Sequence, residues 1–258
     1  MRLPAYSRPI FTIQPARACA RRLRAWLLGF AALLLIAALA LPAMEQPASY
    51  HAFADQRALA GIPHAADVLS NLGFAFAALA GAWLLHGLDR VRVDGAARAL
   101  AALFFTGLAC TALGSAWYHW APADAGLAWD RLGMSVAFAG LLGLAVQSRV
   151  DDTCGWLAAA ALLVAAPLSI AVWRVTGNML PWAALQAGGM LLVVALAWLP
   201  ARAGALPLSL GMVIALYALA KLLELSDLDI FVASGDLVSG HSLKHLAAAF
   251  AAWPVLRA

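Results

Sequence analysis

Three short stretches concentrate the residues able to do chemistry in this 258-residue chain. The first is Gly-Ser-Ala-Trp-Tyr-His over 114–119, the second Trp-Asp-Arg over 129–131, and the third Ser-Gly-His-Ser-Leu-Lys-His over 239–245. On helices, Ser115 and His119 lie one turn apart and face the same space, as do His241 and His245. An i, i+4 pair of imidazoles joined by a third from a neighbouring helix makes a tripod for a divalent ion. Three protein ligands leave a fourth tetrahedral position for water, the arrangement of a catalytic zinc site. Zinc suits imidazole, needs no redox partner, and lowers the pKa of a bound water towards about 7. Asp130, eleven residues beyond His119, would supply an acid beside that tripod.

The elements that must hold these residues are read from composition. The chain is 64% hydrophobic and 12% charged, with a mean hydropathy of +0.85. Globular chains are roughly half apolar and about a quarter charged, so a soluble enzyme and a disordered chain are both excluded. Cys19, Cys110 and Cys154 are far apart, which excludes a disulfide framework and a thiolate metal cluster. Apolar runs stand at about 25–44, 68–85, 99–118, 132–147, 155–173, 179–199, 205–220 and 237–256, the fourth and seventh marginal in length. Backbone groups in lipid must bond within their own segment, so the fold expected is an all-α, polytopic membrane helix bundle. It would comprise a basic N-terminus over 1–24, an extra span over 25–44, an outer segment over 45–66 and a seven-helix unit over 67–258.

Charge gives the sidedness. With the N-terminus inside, inner segments collect twelve of the seventeen basic residues and four of the thirteen acids. The pI near 9.3 is then mostly an orientation signal, and nucleic acid is not expected as a partner. Both termini are expected to be cytoplasmic. The Arg21–Arg24 cluster and the small residues near Ala43 also suit a cleaved signal peptide, but an apolar run of about 18 residues is long for one, which favours a retained helix. All three chemical stretches fall at the outer membrane edge, as do five of the six histidines: His51, His64, His119, His241 and His245.

Ionisable residues at that depth are costly and therefore functional candidates. Bland readings stay open beside the zinc one. A histidine at a membrane edge often serves only the interface, and an i, i+4 pair arises by chance in eight helices. Haem fits poorly, since two histidines on one helix face cannot supply opposite axial ligands. A serine hydrolase built on Ser115 would carry Gly-x-Ser-x-Gly, which Gly114-Ser115-Ala116 lacks. The ten tryptophans read as interface anchors and packing. Lys221, Glu224, Asp227, Asp229 and Asp236 form a polar run read either as a solvated loop with a Lys221–Glu224 helix pair or as a head-group site.

The ordered set Ser115-x3-His119, Asp130 and His241-x3-His245 resembles the alkaline ceramidase family, within the seven-helix membrane hydrolases that include adiponectin and progestin receptor-like proteins. Asp67-Val-Leu-Ser70-Asn71 looks like that family's first-helix Ser-Asn signature, and Trp129-Asp130-Arg131 and Ser239 to His245 look like its other two blocks. The resemblance covers roughly residues 50 to 256. It implies that His119, His241 and His245 hold a catalytic zinc, that Asp130 orients or deprotonates the water, and that Ser115 stabilises the developing oxyanion. It further implies a hydrolase cleaving the amide of ceramide or a related N-acyl lipid drawn from the bilayer.

Departures from the family are few. Tyr50 to Ala66 offers Asp55 but no acidic, Trp-containing cluster, which puts a calcium site in doubt. Gly133 and Ser242 stand where the family would have Pro and Thr. The Arg-led extra span and small loops look bacterial, so the expected location is the inner membrane with the site facing the periplasm. The alternative is a non-catalytic receptor-like or transport protein with a structural metal site; oligomeric state has no signature in the chain.

Overall fold

The structure, a computed structural model, describes residues 14–87 and 94–258, with residues 14–20 described by backbone alone. Arg2, Arg8, Arg90 and Arg92, four of the basic residues used to orient the chain, lie outside the described residues, as does the acid Asp89. The fold is an all-α membrane bundle. Its helices are α1 (Gln14–Ala40), α2 (Ala65–Ser70), α3 (Leu72–Gly87), α4 (Gly95–Trp120), α5 (Asp124–Arg149), α6 (Asp152–Thr176), α7 (Leu180–Ala197), α8 (Leu210–Leu225), α9 (Asp227–Ala233), α10 (Gly240–Phe250) and α11 (Trp253–Leu256).

Six of the described helical segments are long and apolar enough to cross a membrane: α1, the α2–α3 pair, α4, α5, α6 and α7. This is a multi-pass membrane protein. The two further spans expected from composition are shorter: α8 has 16 residues and α10 has 11. At about 1.5 Å per residue they rise roughly 24 Å and 17 Å. The last segment is broken because Pro254 carries no N–H and clashes with the preceding turn; it restarts the chain as α11, in that helix's first turn. The fourth span, marginal by apolar count, is a full 26 residues, because α5 begins at Asp124 and includes Trp129-Asp130-Arg131. Asp130 therefore sits on the second turn of a helix.

Local chemistry sets the helix ends. Asp94, Asp151 and Ser239 accept from backbone amides two or three residues on, capping α4, α6 and α10. Asn71 interrupts α2–α3: its Nδ2 donates to Asp67 O (2.8 Å), taking an acceptor that the ladder would use. Lipid supplies little hydrophobic drive between helices, so close packing depends on small residues. The α4–α5 pair meets along glycines seven apart, Gly107 and Gly114 on one helix and Gly126, Gly133 and Gly140 on the other. A Cβ at Gly114 would stand 2.6 Å from Trp129 O, and one at Gly133 would stand 2.7 Å from the carbonyl carbon of Cys110. That contact brings the C-terminal turns of α4 beside the N-terminal turns of α5.

Polar residues gather at the two ends of the bundle. At one end Arg202 pairs with Asp152 and Asp94, Arg24 pairs with Asp151, and Gln147 donates to Asp94 and Asp152. The other end holds five of the six histidines, with His86 in the last turn of α3 at the first. Many large apolar side chains between them, such as Leu39, Leu79, Trp83, Leu113 and Val175, face outwards. Trp173 and Trp182, by contrast, are buried against Arg131 rather than placed at an interface.

Candidate metal centre

Helices α4 and α10 are far apart in sequence, yet the bundle brings His119, His241 and His245 together, all three buried. Their ring centroids form a near-equilateral triangle with sides of 4.8, 4.9 and 4.8 Å. Nε2 of His119 and Nε2 of His241 are 3.3 Å apart. A tetrahedral zinc with bonds of about 2.0–2.1 Å would hold its nitrogen ligands roughly 3.3–3.4 Å from one another. One potential ligand atom from each ring lies within 4.8 Å of the others, so the cluster could hold a metal ion. The donor set suits a borderline-soft divalent ion.

The surroundings aim the rings. Ser70 Oγ donates to Asp67 O (2.9 Å) and lies 2.8 Å from Nδ1 of His245. With its proton committed to the carbonyl, the hydroxyl oxygen accepts from Nδ1–H, leaving Nε2 of His245 deprotonated and free to bind. The backbone N–H of His241 donates to Asp227 Oδ1 (2.7 Å), which anchors the first turn of α10. Asp67, fully buried, accepts from Ser242 Oγ (2.7 Å) and Ser239 Oγ (3.3 Å) and ties that turn to α2. Ser70→Ala removes the partner that orients His245. Affinity for a divalent metal ion is expected to fall by roughly 10- to 100-fold, read by chelator competition; unchanged affinity would remove Ser70 from the site.

Ser115 and Asp130 complete the polar group. Both line one cavity with His245, and the Ser115 hydroxyl faces the Asp130 carboxyl. The cavity is about 210 Å³ and otherwise mostly apolar, walled by Phe104, Leu108, Phe138, Leu141, Leu162, Met190 and Val213. Arg131, although next in sequence to Asp130, belongs elsewhere. It is buried, with its guanidinium 4.1 Å from the Trp173 ring centroid and 5.4 Å from that of Tyr50.

The outer segment closes the far side. Phe53 lays its ring 4.6 Å from that of His119 and 4.5 Å from that of His241. Its neighbour Ala54 donates from the backbone to Asp227 Oδ2 (3.0 Å), so one carboxylate holds both this cover and α10. Nearby, Arg57 hydrogen-bonds the buried Asp55 carboxyl and holds it below the usual carboxylate range. Phe53 carries no polar signature and was not foreseeable as a site residue. Asp227 stood in the polar run but is a brace rather than a solvated loop acid. His51 and His64 share this end without joining the triangle: His51 bonds Tyr118 and Asp124, and His64 packs beside Phe53. Comparison with family models, with curated proteins and with solved structures returns no match for this chain.

Proposed function

We propose that this chain is an integral-membrane, zinc-dependent hydrolase that cleaves the amide of ceramide or a related N-acyl lipid to fatty acid and free amine. One observation carries the reading: three buried imidazoles with zinc-compatible spacing adjoin an apolar cavity whose polar end also bears Asp130 and Ser115. The resemblance to the alkaline ceramidases points the same way. The site would face the periplasm of a bacterial inner membrane, with both termini cytoplasmic.

Amide hydrolysis needs a nucleophile, stabilisation of charge on the carbonyl oxygen and a proton for the departing amine. His119, His241 and His245 would hold the zinc, which supplies Lewis acidity and an acidified water. Asp130 lines the cavity and is not one of the three candidate ligands, so its carboxylate would take the water's proton and return it to the amine nitrogen. Ser115, buried one turn before His119 with its hydroxyl on the Asp130 carboxyl, would turn that hydroxyl to donate to the developing oxyanion. The apolar walls take the acyl chain and exclude water from the carbonyl. Purified protein in lipid nanodiscs is expected to carry about one zinc per chain and to release fatty acid from N-acylsphingosine. Activity should vanish on chelation and return with zinc. A folded, zinc-replete protein that releases nothing from any N-acyl lipid or lipid ester would refute the proposal.

A further inference from the structure

The cavity holds a second charged group that hydrolysis itself does not require. Glu224 on α8 accepts from Lys221 Nζ at Oε2 (2.6 Å) and from Lys244 Nζ at Oε1 (2.6 Å), and all three residues line the cavity. Lys221 and Glu224 do pair, as the helix spacing suggests, but the pair opens on the cavity and recruits Lys244 from α10. Each ammonium has three donors and gives one to Glu224. The side chains remain partly accessible, Lys244 at 21% and Lys221 at 45%.

Lys221 and Lys244 share the single Glu224 carboxylate, so two N–H donors on each ammonium are left for a ligand in the cavity they line. A neutral ceramide head meets them with hydroxyls at most, whereas an anionic head makes the shorter, stronger charge-assisted bonds.

We propose that Lys221 and Lys244 bind an anionic group on the amine side of the substrate, so that the amide cleaved is that of an N-acyl amino acid. This specificity rests on the hydrolase reading above. In the reaction, water adds to the carbonyl carbon, the C–N bond breaks, and the proton released passes to nitrogen. The products are a fatty acid and an amino acid whose carboxylate stays on the lysine pair until release. A phosphate could meet the same donors, and the test separates the two.

The test compares kcat/KM in mixed micelles for N-palmitoylglycine, its uncharged methyl ester, ceramide and ceramide 1-phosphate. The wild type is expected to prefer N-palmitoylglycine over the methyl ester by about 10- to 100-fold, as charge-assisted hydrogen bonds allow. Lys221→Met and Lys244→Met should each cut that ratio several-fold, chiefly through KM, and the double variant should bring it near one. Glu224→Gln frees both ammoniums and should raise the ratio. If the cluster merely braces α8 against α10, Glu224→Gln slows acid and ester alike and leaves the ratio where it was, which overturns the proposal. A wild-type ratio near one also overturns it, and preference for ceramide 1-phosphate over N-palmitoylglycine overturns the carboxylate assignment. If no amide is cleaved at all, the hydrolase reading falls separately. The lysine site is then judged by tryptophan quenching, since Trp182 lines the cavity. Tighter binding of N-palmitoylglycine than of its ester, lost in the lysine variants, sustains it; equal binding ends it.

Discussion

An Asp130→Asn protein is expected to keep its zinc and lose turnover by roughly a thousandfold, the middle of the range for a positioned general acid–base group. The amide is nearly isosteric, so the glycine seam between α4 and α5 should survive unchanged and the apolar walls should still take the acyl chain. What disappears is the cavity carboxylate that the Ser115 hydroxyl faces; Glu224, the other carboxylate among the described lining residues, is held by Lys221 and Lys244. The loss should appear in kcat with KM little altered, because the carboxylate acts on a proton rather than on the substrate's grip. This variant also separates catalysis from a structural or receptor-like metal site. Metal content and kcat measured on one preparation decide the matter: retained zinc with retained turnover would assign Asp130 a passive role.

His241→Ala is the second large effect, and its signature is the reverse. Removing one of three ligands leaves two imidazoles, too few to hold the ion against a chelator. Zinc and turnover should then fall together, turnover to background. Helix content should change little, because the first turn of α10 remains anchored by Ser239, Ser242 and the backbone N–H at position 241. Metal analysis and circular dichroism together test this. Full zinc occupancy after the substitution would show that the triangle is not the metal site.

The sequence made legible what depends on local spacing. Apolar runs locate every major helix, because lipid rewards long uninterrupted apolar segments. The i, i+4 pairs place Ser115 with His119 and His241 with His245. The joining of α4 to α10 is a packing outcome that no local spacing encodes; charge sidedness points to it by placing both ends on one side, and the family resemblance implies it by grouping His119 with His241 and His245. Helix α5 was underestimated because hydropathy stops at Trp129-Asp130-Arg131, whereas helical hydrogen bonding does not. Asp227 acts through hydrogen bonds to residues 14 and 173 positions away and Ser70 through one to a residue 175 positions away, and no periodicity encodes such distances. The polar run around Lys221 stays open between a solvated loop and a head-group site, because the residue that ties it to the cavity, Lys244, is 20 positions from Glu224 on another helix.

Phe53, held over the histidines by an outer segment pinned through Asp227, changes how concentration should be reckoned. On the proposed hydrolase reading, an aromatic ring laid over His119 and His241 leaves the apolar cavity as the route for a lipid, so substrate would be counted per lipid molecule rather than per litre. Diluting N-acyl lipid with inert phospholipid should then slow the reaction even when its bulk concentration is constant, while adding more vesicles of the same composition should not speed each enzyme. Clearance of such a lipid would track the crowding of one leaflet, and the bilayer itself would act as the reservoir from which the enzyme feeds.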